Sequence, residues 1–71
     1  MRITHFTDTD TALLELNGSP PAETRELSED IYLDLDKNGH AVSITIEHAS
    51  QRSNFSEISF IRMGEPSLQQ A

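Results

Sequence analysis

Asp30-Ile31-Tyr32-Leu33-Asp34-Leu35-Asp36, the short run Lys37-Asn38-Gly39-His40, and Ala41-Val42-Ser43-Ile44-Thr45-Ile46-Glu47 together decide the fold. In the first stretch Ile31, Leu33 and Leu35 alternate with Asp30, Tyr32, Asp34 and Asp36. In the last, Val42, Ile44 and Ile46 share one parity. Successive side chains leave a strand on opposite faces, so a period of two marks a strand with one buried face. A polar opposite face indicates an antiparallel sheet rather than the centre of a parallel one. The intervening Lys, Asn and Gly are turn formers. A three-residue loop would place the two apolar sets on opposite faces, which is costly. A four-residue loop, Lys37 to His40, sets Leu35 opposite Val42, Leu33 opposite Ile44 and Ile31 opposite Ile46. Each such cross-strand pair contributes roughly 0.2–1 kcal/mol.

Working outward, Ile3 to Phe6 is a short β-prone stretch, and Thr7-Asp8-Thr9-Asp10 is turn-prone. Thr11 to Leu16 alternates again, with Ala12, Leu14 and Leu16 on one face. Asn17-Gly18-Ser19-Pro20-Pro21 ends that strand, because neither proline can donate to a ladder. Ala22 to Leu27 carries the charges of an edge strand, and Ser28-Glu29-Asp30 reads as a tight turn. His48 to Arg52 loses the period of two and reads as a helical turn with Ala49 inward. For Phe55 to Met63 the Ile-Ser-Phe-Ile run favours a strand. The capping-box pattern Asn54-Phe55-Ser56-Glu57 and the following Gly64 keep a helix open. Residues 64–71 are expected to fray. The predicted fold is therefore all-β or β-dominated α+β. It is a single curved antiparallel meander of five or six short strands, with one short helix near residues 48–53, all in one domain spanning 1–71.

Composition narrows the function classes. Seventy-one residues hold at most one small domain with a thin core. Twelve acidic residues against five basic ones give a net charge of -7. Such a chain is repelled by nucleic-acid phosphates and by anionic membranes, and attracts basic proteins. No cysteine is present, which fits a reducing compartment. Met1 to His5 leads straight into a strand pattern, so no secretion signal and a cytoplasmic location are expected. No apolar run approaches the roughly 18 residues that span a bilayer.

From Phe6 to Arg52 the order of signals is characteristic: Ala12-Leu13-Leu14-Glu15-Leu16, Glu23-Thr24-Arg25-Glu26-Leu27, Ile31-Tyr32-Leu33-Asp34-Leu35-Asp36-Lys37-Asn38-Gly39, and Ile44-Thr45-Ile46-Glu47-His48-Ala49-Ser50. It resembles the prokaryotic small-protein family catalogued as domain of unknown function 2283. The most specific parts are the Glu23–Glu26 segment, the Asp34–Gly39 turn and the final Ala49-Ser50. Two departures stand out. The family carries acids at the positions of Thr7 and Thr11, whereas here they sit at Asp8 and Asp10. It often has Gly where this chain has Asp30, a residue that also tolerates the left-handed conformation. The resemblance implies a small β-rich domain, no defined reaction, and a likeness to the small acidic partners of toxin–antitoxin-like gene pairs.

The residues offer few chemical constellations. Asp34-Leu35-Asp36-Lys37-Asn38-Gly39 matches the opening of a calcium-binding loop, but position twelve is Thr45 rather than Glu. It reads first as a turn and second as a weak divalent-cation site. Asp8 and Asp10 lie in an oxygen-rich loop, and His5, His40 and His48 each stand alone in sequence. No nucleophile motif frames a serine, so no catalytic residue, metal ligand or cofactor is assigned. The expected function is a non-enzymatic interaction module binding a basic protein partner, with Glu23, Arg25, Glu26, Asp34 and Asp36 as partner-binding residues. The alternative is a self-assembling structural or regulatory homodimer without a tight foreign partner.

Overall fold

A computed structural model describes residues 1–64. Five strands and one short helix follow in order: β1 (Arg2–Phe6), β2 (Thr11–Glu15), β3 (Glu23–Ser28), β4 (Ile31–Leu35), β5 (Ala41–Glu47) and α1 (Ala49–Arg52). The strands form one antiparallel sheet in the order β1-β2-β5-β4-β3. The antiparallel sheet and a short helix near residues 48–53, observed at Ala49–Arg52, are as the sequence predicts.

The meander is corrected at one connection: β2 pairs with β5, not with β3. Charge and reach explain the skip. β3 is exposed at all six positions and carries Glu23, Arg25 and Glu26, so it belongs at an edge. Apolar β5 then takes the centre, flanked by β2 and β4. From β2 to β3 the chain must cross three strand spacings, about 14 Å. The Leu16–Ala22 loop, at about 3.3 Å per residue, reaches that far easily. Backbone bonds from Leu16 to Val42 (2.8 Å) and from Ala22 to Leu35 (2.7 Å) fix its two ends.

The β4–β5 register is the expected one over most of its length. Ile31 lies opposite Ile46 and Leu33 opposite Ile44. The third pair is corrected: Leu35 lies opposite Ala41, because a bulge adds a residue to β5 beside Asp34 and Leu35. The Asp36–His40 turn closes with Gly39 at φ +85°. That left-handed conformation explains the glycine.

Register sorts every strand residue onto one of two faces. One face holds the row Arg25–Leu33–Ile44–Leu14–Ile3 and, beside it, Ser28–Ile31–Ile46–Ala12–His5. The other holds Thr24–Asp34–Ser43–Glu15–Arg2 and Glu26–Tyr32–Thr45–Leu13–Thr4. The first face is apolar and the second is polar. α1 and the segment after it fold back over one end of the apolar face, where Phe55 stacks on His5 with ring centroids 5.4 Å apart.

That cover is partial. The buried apolar residues are Ala12, Leu35, Val42 and Ala49, and no large side chain among the described residues is fully buried. Leu14, Leu33, Ile44 and Ile46 remain only half-buried. Neither the strand favoured over Phe55–Met63 nor the helix left open there forms. The segment is irregular, and Ile58, Phe60, Ile61 and Met63 are exposed. A strand needs a ladder partner, and propensity alone supplies none. The fraying expected for 64–71 falls, beyond residue 64, outside the described residues.

Candidate functional site

Two turns and a corner meet at one end of the sheet. Asp10 precedes β2 and Asp30 precedes β4, and both are left-handed, at φ 56° and 70°. His48, between β5 and α1, is left-handed at φ 53°. Non-glycine residues rarely adopt this region, although Asp does so more readily than most.

These turns pin the corner by backbone and side chain together. The Asp30 carbonyl accepts from Glu47 N–H at 2.7 Å, and the Asp10 carbonyl accepts from Ala49 N–H at 2.8 Å. The Asp10 carboxylate accepts from Ser50 Oγ at 2.7 Å, from Ser50 N–H at 3.2 Å and from His5 Nε2 at 2.8 Å. The Asp30 carboxylate accepts from Arg52 Nη2 at 2.9 Å and Nε at 3.1 Å, and lies 3.1 Å from His48 Nδ1. Ser50, then His5, hold the Asp10 carboxyl below the ordinary carboxylate range. Arg52, aided by His48, does the same for Asp30. Ionised carboxylates accept such charge-assisted bonds well.

The arrangement is built for docking a helix. Ser50, His5 and Asp10 are the residue types of a hydrolase triad, but their order is wrong. The serine hydroxyl donates to the carboxylate, and the histidine bonds the carboxylate's other oxygen. A nucleophilic serine needs the base against its own hydroxyl. Among the described residues no group of three or more His, Asp or Glu side chains is placed to hold a metal ion.

The residues expected to bind a partner divide in two. Glu23, Arg25 and Glu26 lie exposed on edge strand β3, with Arg25 Nε bonded to Glu23 at 2.9 Å. Asp34 is engaged within the sheet, accepting from Thr24 Oγ1 at 2.6 Å and from buried Ser43 Oγ at 2.7 Å. Asp36 is engaged in its turn, accepting from the N–H groups of Asn38 and His40, each at 2.9 Å. Those bonds, the His40 one foremost, lower its pKa. Asp34 and Asp36 thus serve separate partners and do not converge as cation ligands would. An open cleft of about 300 Å³ lies between Ser19–Ala22 and Asp36–Asn38, the lower limit for a small-molecule site.

Sequence reasoning missed the Asp10–Ser50 pair. The one signal was the Ala-Ser that closes the characteristic order of segments. Ala49 is fully buried and Ser50 is tied to Asp10, so both positions carry the corner.

The polar face holds a second feature. Glu47 and Glu26 flank Tyr32 and raise its hydroxyl pKa, Glu47 most. Arg2 bonds Glu15 across the β1–β2 pair at 2.8 Å, lowering the carboxyl and raising the guanidinium. The acids of the sheet thus gather on the polar face. On the apolar face the charges are Glu23 and Arg25, which neutralise each other.

A family model described as "Protein of unknown function (DUF2283)" matches residues 2–50. That span ends at Ser50, the residue bonded to Asp10. No curated protein and no solved structure matches.

Proposed function

The chain belongs to the family described as Protein of unknown function (DUF2283), and from that starting point we propose that it is a non-enzymatic interaction module acting as a homodimer through its apolar sheet face. One observation carries the reading: among the described residues, Leu33, Ile44, Leu14 and Ile3 of the single sheet have no second layer over them. Domains are stable when two layers enclose a core. A second copy supplies that layer, since two sheets pack face to face at about 10 Å.

Charge supports the same occupant. A chain of net charge -7 should repel its copy, but the apolar face is neutral because Arg25 pairs with Glu23. Two such faces meet without opposed like charges. Chain length sharpens the need, since small domains are marginal without added burial. A reducing cytoplasm suits a fold that does without cysteine.

The test is sedimentation equilibrium across a concentration series. The expected result is a dimer insensitive to salt, weakened by Ile3→Glu, a substitution at a position already 40% exposed and so tolerated by the fold. A monomer at all concentrations sinks the reading. A second reading, a basic partner on the polar face, is favoured by the acids gathered around Tyr32. It predicts a complex that dissociates with added salt.

A further inference from the structure

We infer that the segment 57–63 of one copy exchanges onto the β1 edge of a second copy, adding a sixth strand to that copy's sheet. The inference rests on the dimer proposed above and adds how its two chains are joined.

The two sheet edges differ. β3 carries Glu23, Arg25 and Glu26 and a bulge between Glu26 and Ser28. Charges and bulges are the devices that stop an edge from pairing. β1 is less protected, with one formal charge and no bulge. It makes five consecutive pairs with β2 without a bulge. Its one formal charge, Arg2, is held by Glu15, and His5 is held by Asp10. Ile3 and Phe6 are 40% and 47% exposed along it. An unprotected edge presents a row of N–H and C=O groups ready for another strand.

The matching strand lies in the same sequence. Ile58, Phe60 and Arg62 alternate with Ser59, Ile61 and Met63, and the segment is apolar and β-prone. Its charges, Glu57 and Arg62, cancel. It is irregular and exposed in its own chain, with Phe60 at 86% and Met63 at 85%. The stack of Phe55 on His5 anchors its start beside β1, on the rim of the apolar face. In a face-to-face dimer the second sheet lies about 10 Å above that rim. Seven residues span about 23 Å when extended, so about three cross the gap and about four run along the facing edge. Strand exchange of this kind adds main-chain hydrogen bonds to an interface otherwise made of side chains.

The test compares three proteins: the full chain, the chain ended at Ser56, and Phe60→Pro, whose proline cannot donate to a ladder. Dimer dissociation is measured by sedimentation equilibrium, and amide exchange of β1 is measured at dilute and concentrated protein. The inference expects both variants to weaken the dimer by about tenfold or more. It also expects β1 amides that gain protection only as the full chain dimerises. Variants that dimerise as tightly as the full chain, with β1 unprotected, overturn the exchange and leave the face-to-face dimer standing. Concentration-independent protection of those β1 amides that point away from β2 also overturns it, because the segment would then fold on its own chain. A full chain that stays monomeric removes the dimer and the exchange with it.

Discussion

Aspartates in turns hold both ends of this sheet, yet they work over different distances. At one end Asp36 bonds the N–H groups of Asn38 and His40, two and four residues away. At the other, Asp10 bonds Ser50 across forty residues and Asp30 bonds Arg52 across twenty-two. The first arrangement shapes one hairpin. The second joins two hairpins to a helix. The same residue type therefore serves local turn chemistry at one end and tertiary assembly at the other.

The comparison breaks most directly at Asp10. Asp10→Ala removes the acceptor of Ser50 and His5 and puts a residue less suited to φ > 0 into a left-handed position. The expected result is a melting temperature lower by about 10 °C, with α1 released. Asp36→Ala should lower it by about half as much and leave α1 in place, as followed by thermal melts and amide exchange. Equal effects would mean that the two ends are held alike. Gly39→Ala tests the same local turn. Its φ of +85° opposes a side chain although the space is open, so the cost is about 1–2 kcal/mol and stays within the turn.

Acid sharpens the comparison further. The carboxyls of Asp10, Asp30 and Asp36 all have lowered pKa values in the folded protein. Groups depressed by folding stabilise above their unfolded pKa, and that contribution is lost as pH falls through the folded value. Stability should therefore decline from about pH 4 downward. Asp10→Asn should shallow that decline, read as melting temperature against pH. The smallest effect belongs to Glu23→Gln on the exposed edge, expected within about 0.5 kcal/mol of the parent by denaturant titration.

The same contrast explains what was legible in the sequence. Alternation and turn residues act between near neighbours, so β4, β5, their turn and two of three cross-strand pairs could be read directly. The bulge beside Leu35 could not, since it depends on how Ala41 and Val42 both meet one partner strand. The place of β2 beside β5 was hidden because many strand orders satisfy one alternating pattern. Asp34 and Asp36 were placed in a turn and offered as partner-binding acids, because Ser43, Thr24 and the turn amides declare their bonds only once the register is set. Asp10, His5 and Ser50 are far apart in sequence, and no spacing rule links them. The strand preference of Phe55–Met63 was legible, but a preference becomes a strand only where the segment pairs with a ladder partner, and within its own chain it pairs with none among the described residues.

The β2–β5 pairing sets the order of assembly. β1 with β2 forms one short-range unit, and β3, β4 and β5 form another. Among the strand pairings of the described residues, the seam of Thr11–Glu15 against Ser43–Glu47 is the one that joins residues distant in the chain. Closing that seam carries most of the loop-closure entropy, so it governs the folding rate. Truncating Leu14 or Ile44 should slow refolding, whereas changes at the Asp36–His40 turn should act mainly on the rate of unfolding. A chain stalled before the seam closes would already hold both hairpins, with α1 still awaiting Asp10.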